Sequence, residues 1–363
     1  MPDITTAITN TRVLTPDGRL SAPRTVLLRG GLIVESGVPT HVVDARGNTL
    51  LPGLIDAHLH LFQGRADLDA LTDWGVTTGL DMGLWPTTQV DKLRSAQGVA
   101  DIRSATIPAV GPESLAARQP GFPREGIIPT PEHARAFVRQ RIAEGADYIK
   151  IIAEATSPAG VDLKSATAIV DAAHDAGKHV VAHAVTVGAF HVALQAGVDI
   201  ITHAPLNGRL DDHAIARMLQ NHVVSVPTLT MMQHMAGDAR YRSQPNPGWS
   251  YQNAHNTVAA LHAAHVTILV GTDAHRTSDG PATLKPGQSI HHEMELLTRA
   301  GLSAADVLRG ATQRSAQVFN LADRGEVAVG KRADLLLIDG DPLDDIGATR
   351  NITGVWIAGR QVR

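Results

Sequence analysis

Apolar residues fall along this chain in two textures. At both ends they form short runs broken by turn residues. Thr25–Leu28 and Leu32–Val34 flank Gly30-Gly31, a turn follows at Gly37-Val38-Pro39, and Asp334–Asp339 and Gly354–Ala358 repeat the pattern around Gly340-Asp341-Pro342. Such runs predict short strands. Neither end is long enough to bury its own apolar face, so strands of both ends are expected to pair in one small β-sandwich. The middle alternates instead. Strands are predicted at Leu54–Leu61, Val76–Met82, Ile102–Val110, Asp147–Ile152, Val180–Ala184, Val198–His203, Val223–Pro227 and Val266–Gly271. Helices are predicted at Pro131–Glu144, Ser165–Ala176, Val187–Ala196, Asp211–Asn221, Asn253–Ala264 and Ser303–Ala316, several closed by a glycine. Strands alternating with helices predict an α/β fold, a (β/α)8 TIM barrel spanning 52–323, with 1–51 and 324–363 forming the sandwich. A doubly wound open sheet is the competitor, but its glycine-rich phosphate turn after the first strand is missing.

Composition narrows the function. The 363 residues are 43% hydrophobic and 19% charged, ample for a core, while aromatics are only 3%, so aliphatics carry the packing. A formal net charge of −4 without a basic run argues against nucleic acid or an anionic membrane as partner. The absence of cysteine removes disulfides, thiolate sites and cysteine nucleophiles. With no signal-peptide pattern and no long apolar run, the expected location is cytoplasmic and the expected partner a small-molecule substrate. A homo-oligomer is left open.

The 18 histidines are the outlier, and position decides which matter. In Pro52–His60 (PGLIDAHLH), His58 and His60 stand two apart, on one face of a strand, and suit a divalent metal such as zinc. Alone this triplet is weak evidence. His183, His203 and Asp273 also end predicted strands, where barrel enzymes keep their chemistry. Lys150 lies within Tyr148–Ile152, a strand that otherwise reads as buried. A lone lysine there would pair with a carboxylate or reach solvent. Beside two metal ions its pKa would be pushed down, and the neutral amine could add CO2 to give a bridging carbamate. Carbamate, Asp273 and a hydroxide then leave one net positive charge on the centre, enough to polarise a carbonyl.

These segments resemble the amidohydrolase superfamily, specifically its imidazolonepropionase-like and prolidase-like branch. The matching stretches are PGLIDAHLH, GADYIKI, VVAHA, GVDIITHA, GTDAH, HHEMELL and GEVAVGKRADLLLIDGDPL. The resemblance implies one metal on His58, His60 and Asp273 and a second on His183 and His203, with carboxylated Lys150 between them. It also implies attack by a bridging hydroxide on an amide carbonyl, with Asp273 as the catalytic proton carrier. The expected substrate is an N-acyl amino acid, a dipeptide or a cyclic amide. Val185 stands where such relatives carry an aromatic, and Gly111–Ile128 replaces a glycine-rich histidine segment; both count against a dipeptide.

Other residues are weighed lower. His275 and His292 read equally as substrate contacts or as surface residues, and Arg118, Arg124 and Glu154 lie on loops expected at the mouth. Asp81 reads as structural support. The loop Thr228–Gln252, with Met231, Met232, Met235, Tyr241, Trp249 and Tyr251, reads as a lid for a bulky apolar group or as cover for helices, the lid favoured. An ester or lactone hydrolase shares the same chemistry. A deaminase is disfavoured, because His183–Val187 and His203–Asn207 lack a carboxylate, and a non-catalytic scaffold would have lost ligands.

Overall fold

A computed structural model describes residues 4–114, 116–118, 120–154, 160–238, 248–276 and 284–363. The N-terminal stretch forms β1 (Thr5–Val13), β2 (Arg24–Arg29), β3 (Leu32–Val34), β4 (His41–Asp44) and β5 (Thr49–Pro52). The middle supplies β6 (Leu54–Leu59), β7 (Val76–Asp81), β8 (Asp101–Ser104), β9 (Ile149–Ile152), β10 (Val180–His183), β11 (Ile200–Thr202) and β12 (Val224–Val226). β13 (Leu335–Ile338), β14 (Ile352–Ile357) and β15 (Arg360–Gln361) follow near the C-terminus.

The two ends of the chain meet in one eight-stranded sheet, ordered β15-β14-β13-β5-β1-β2-β3, with β4 pairing β1. The junction is antiparallel, with Leu335 opposite Pro52 and Ile338 opposite Thr49. A register shift between Ile8 and Thr11 lets β1 pair with β2 first and with β5 beyond it. Ile8, Val13, Leu50, Leu335, Leu337 and Trp356 share one apolar cluster, so residues from both ends are needed to dry it.

The middle is a mixed α/β arrangement of parallel strands and helices. β6-β7-β8 and β9-β10-β11-β12 pair in parallel. Isolated parallel bridges join Ala109 to Ile151, Ser225 to Ile268 and Leu59 to Ala274. Pairing therefore runs from β6 to β12 and returns to β6 through residues 268–274. Both faces of these strands are covered, and every residue of β6, β7, β11 and β12 is buried, polar ones included.

Helix ends follow their caps. Pro131–Ala143 starts behind Thr130, whose hydroxyl accepts from His133 N–H, and Val187–Ala196 stops at left-handed Gly197. Leu163–Asp175 starts two residues earlier than expected because Asp162 caps it. Three expectations are corrected. Ser303–Ala316 is two helices, Ala304–Gly310 and Gln313–Val318, because Thr312 between them adopts φ −139° and ψ −97°. Val266–Gly271 makes bridges at Ile268 instead of a regular strand. The segment after Thr228 is helical over Leu229–Gly237, with Met231 and Met232 buried in the main apolar cluster, so these two methionines pack the core; Tyr241 lies outside the described residues.

Gly271 shows why that last stretch sits so close to β6. A Cβ there would lie 2.5 Å from Val226 Cγ1 and 2.8 Å from the His58 backbone nitrogen. Only glycine allows this approach. Among the described residues, no helix is long and apolar enough to cross a membrane.

Candidate metal centre

β6 carries His58 in its last turn of pleat and delivers His60 just beyond its end, two residues on. Residues 268–274 run beside it and bring Asp273 across, its backbone N–H donating to His58 O at 2.7 Å. The side chains converge. Asp273 Oδ1 lies 3.4 Å from His58 Nε2 and 3.3 Å from His60 Nε2. Three donors bound tetrahedrally to one zinc, each at about 2.0–2.1 Å, would stand about 3.3 Å apart. Among the described residues, His58, His60 and Asp273 are the group whose donor atoms gather tightly enough to hold one ion. Among the described residues, the buried Nδ1 atoms of His58 and His60 have no hydrogen-bond partner.

The other expected ligands surround this group. The His203 ring lies 4.8 Å from that of His58 and 4.4 Å from that of His183, and His203 Nδ1 stands 4.0 Å from Asp273 Oδ2. Lys150, only 2% exposed, donates from Nζ to Thr202 Oγ1 at 2.8 Å.

Burial sets the protonation states. It pushes His58 and His183 down to about 3, helped by the Lys150 charge, and depresses His203 as well. These imidazoles are therefore neutral, the form that ligates a metal. Burial also pulls His60 down, but Asp273 beside it outweighs this and raises it. Asp273 itself resists the upward push of burial, because His58, His60 and His203 hold it well below the usual carboxylate range. Burial lowers Lys150 to about 7, so a neutral amine is accessible near neutral pH.

Several braces were not legible as such in the sequence. Asp56, two residues before His58 on the same strand face, is fully buried and accepts from His58 N–H, Thr272 N–H and Thr272 Oγ1. A carboxylate at i−2 of a candidate histidine ligand, inside an apolar strand, was the available signal. Asp81 does more than support. Burial raises it to about 6, Ser104 Oγ and Gly83 N–H donate to Oδ2, and its charge acts on His60 and Lys150. His203 and Asp273 also hold left-handed backbone, φ 74° and 56°, a region uncommon for non-glycine residues though less so for Asp and His, and sequence patterns do not reveal it.

The remaining candidates separate. His275 stands at the centre's edge, its Nδ1 2.9 Å from Asp273 O and its ring 6.2 Å from that of His60. His292 instead bonds Gln233 and Glu295. Arg118 and Arg124 are exposed, and Glu154, raised by burial, has no partner among the described residues. Val185 packs into the core. Phe62, which the sequence did not single out, stacks on His60 with centroids 5.2 Å apart and also lines a groove of about 560 Å³ with Gln63, Gln89, Lys92 and Leu93.

Comparison with known proteins places the chain in a family. Residues 49–362 fit the model of the amidohydrolase family. An uncharacterized protein of Mycobacterium tuberculosis (strain ATCC 25618 / H37Rv) is 27% identical over 91% of this chain and 93% of its own length. The structure of a candidate prolidase from Bifidobacterium longum superposes with a TM-score of 0.82 at 28% identity, covering 99% of this chain and 94% of that one. A Xaa-Pro dipeptidase with bound methionine in its active site gives a TM-score of 0.84 over 98% and 99% of the two chains, and at 22% identity it shares the fold.

Proposed function

Because the chain belongs to the amidohydrolase family, hydrolases acting on carbon–nitrogen bonds, we propose that it is a metal-dependent amidohydrolase with its centre on His58, His60, Lys150, His183, His203 and Asp273. The observation that carries this reading is the convergence of His58 Nε2 and His60 Nε2 on Asp273 Oδ1 at 3.4 and 3.3 Å. We read the linked parallel pairings as the (β/α)8 barrel, with the terminal sheet folded beside it as a small sandwich.

In this reading His58, His60 and Asp273 hold one divalent ion, zinc being the expected metal. His183 and His203 hold the second. Lys150 would serve as a further ligand once its neutral amine had added CO2 to form a carbamate, and Thr202 Oγ1 accepts from its Nζ. Bound divalent ions supply an activated water and a polarised carbonyl. Asp273, kept ionised and 15% exposed at its side chain, accepts the proton from water at its carboxylate and returns it to the leaving nitrogen. His60 is held by Phe62 stacked on one face, and that ring offers an apolar wall to the acyl or leaving group. With Met231 and Met232 in the core, Phe62 and its groove carry the case for an apolar substrate group. The substrate class remains N-acyl amino acids, dipeptide-like compounds or cyclic amides.

The test is a hydrolysis screen on zinc-loaded protein over N-acyl amino acids, dipeptides, cyclic amides and lactones, with and without chelator. Amine release abolished by chelator supports the amidase. Turnover confined to lactones replaces it with an ester hydrolase.

A further inference from the structure

We propose that Glu293 is a positioning residue for the metal centre, acting through Thr228 on His203. The inference rests on His203 being a metal ligand, as read above.

The helix Leu229–Gly237 begins at Thr228, and a threonine in that position ordinarily turns its hydroxyl onto the N–H groups of the first turn. Here it does not. Thr228 caps nothing; its Oγ1 lies 2.8 Å from His203 Nδ1. The first-turn donors go elsewhere. Leu229 N–H donates to Glu293 Oε1 at 2.8 Å, and Thr230 N–H and Thr230 Oγ1 donate to Glu293 Oε2 at 2.6 and 2.8 Å. Glu293 reaches them from another helix, Gln288–Arg299, and is fully buried, as is Thr228.

This exchange of partners has a consequence for the ligand. Without Glu293, the Leu229 and Thr230 N–H groups and the Thr230 hydroxyl would lose their acceptor, and buried donors left unpaired are destabilising. The nearest remedy is Thr228's own hydroxyl, reached by relaxing its left-handed backbone, φ 46°, toward the extended geometry of an ordinary cap. A β-branched residue gains by leaving that region. His203 Nδ1 would then lose its hydroxyl partner. With the ring proton on Nδ1 and donated to that oxygen, the Nε2 lone pair is free to ligate, so in this proposal Glu293 keeps the ring in its ligating tautomer and orientation.

The experiment uses full-length zinc-loaded protein and a double-mutant cycle of Glu293→Gln and Thr228→Val. Chelator competition measures zinc affinity, and NMR follows the His203 Nδ1–H, assigned by its loss in His203→Gln. Each single variant is expected to weaken one zinc equivalent on the order of tenfold or more. Each should also hasten exchange of the Nδ1–H, and the double variant should lose little more than the worse single. A purely structural cap predicts otherwise: Glu293→Gln lowers Tm while zinc affinity and Nδ1–H exchange stay at wild-type values, or the two losses add in full. Either result overturns the proposal. If His203→Gln itself costs no zinc, the ligand reading fails, and the Nδ1–H exchange in Glu293→Gln still decides whether Glu293 positions the ring.

Discussion

The Asp56 carboxylate grips Thr272 twice, through its N–H at 3.1 Å and its hydroxyl at 2.7 Å, while also accepting from His58 N–H. One buried group thereby ties the strand of the first histidine pair to the residue before Asp273. Asp56→Asn keeps the shape but turns an amide N–H₂ toward donors. Zinc affinity is expected to fall about 10–100-fold, as for other groups that orient metal ligands. Metal titration checks this; unchanged affinity would show that the two segments hold their spacing without the carboxylate.

Lys150→Ala removes a buried amine beside the histidines. The variant should lose metal from at least one site and most of its activity. Metal analysis with turnover decides it, and two retained equivalents with full turnover would show that Lys150 bridges nothing.

Gly271→Ala forces a methyl group against Val226 Cγ1 and the His58 backbone. Overpacking of this kind costs about 1–3 kcal/mol. Because the obstruction pushes on the segment carrying Asp273, the loss of stability should be accompanied by weaker metal binding. Urea unfolding and metal titration on the same sample test both.

His291 gives a pH dependence away from the centre. It is fully buried between Thr349 Oγ1 at 2.9 Å and Trp74 O at 3.1 Å. Burial, with Arg350 adding to it, pushes the imidazole down to about 4 from its ordinary 6.5. The folded state therefore prefers the neutral ring, so the stability it contributes is full above pH 6.5 and is lost as pH falls toward 4. His291→Gln should flatten that part of the stability curve relative to wild type. Unfolding midpoints at pH 7, 5.5 and 4.5, on the order of one pH unit apart, compare the two; parallel curves would count against the assignment.

Much of this molecule was legible before folding was considered. The period-two spacing of His58 and His60, the helix caps at Thr130 and Gly197, and the alternation of aliphatic runs with helices follow from local stereochemistry. Histidines and an aspartate at predicted strand ends also pointed to candidate ligands, and the structure gathers His58, His60 and Asp273 among them. The limits were local too. Thr312 breaks a helix that its apolar pattern continues, and Met231 and Met232, read as a lid, pack the core because their segment is helical.

What the tertiary structure alone decided is which distant groups share a charge or a donor. Asp56 meets Thr272 across 216 residues, Glu293 reaches the helix after Thr228 across about 64, and Lys150 finds Thr202. Such partners leave no period in the sequence, since each is a single polar residue in an apolar setting. Burial then sets the protonation of His58, His183 and Lys150, and burial is a property of the packed chain. The sequence determined which residues could hold a metal; packing decided that they meet, and in which protonation state.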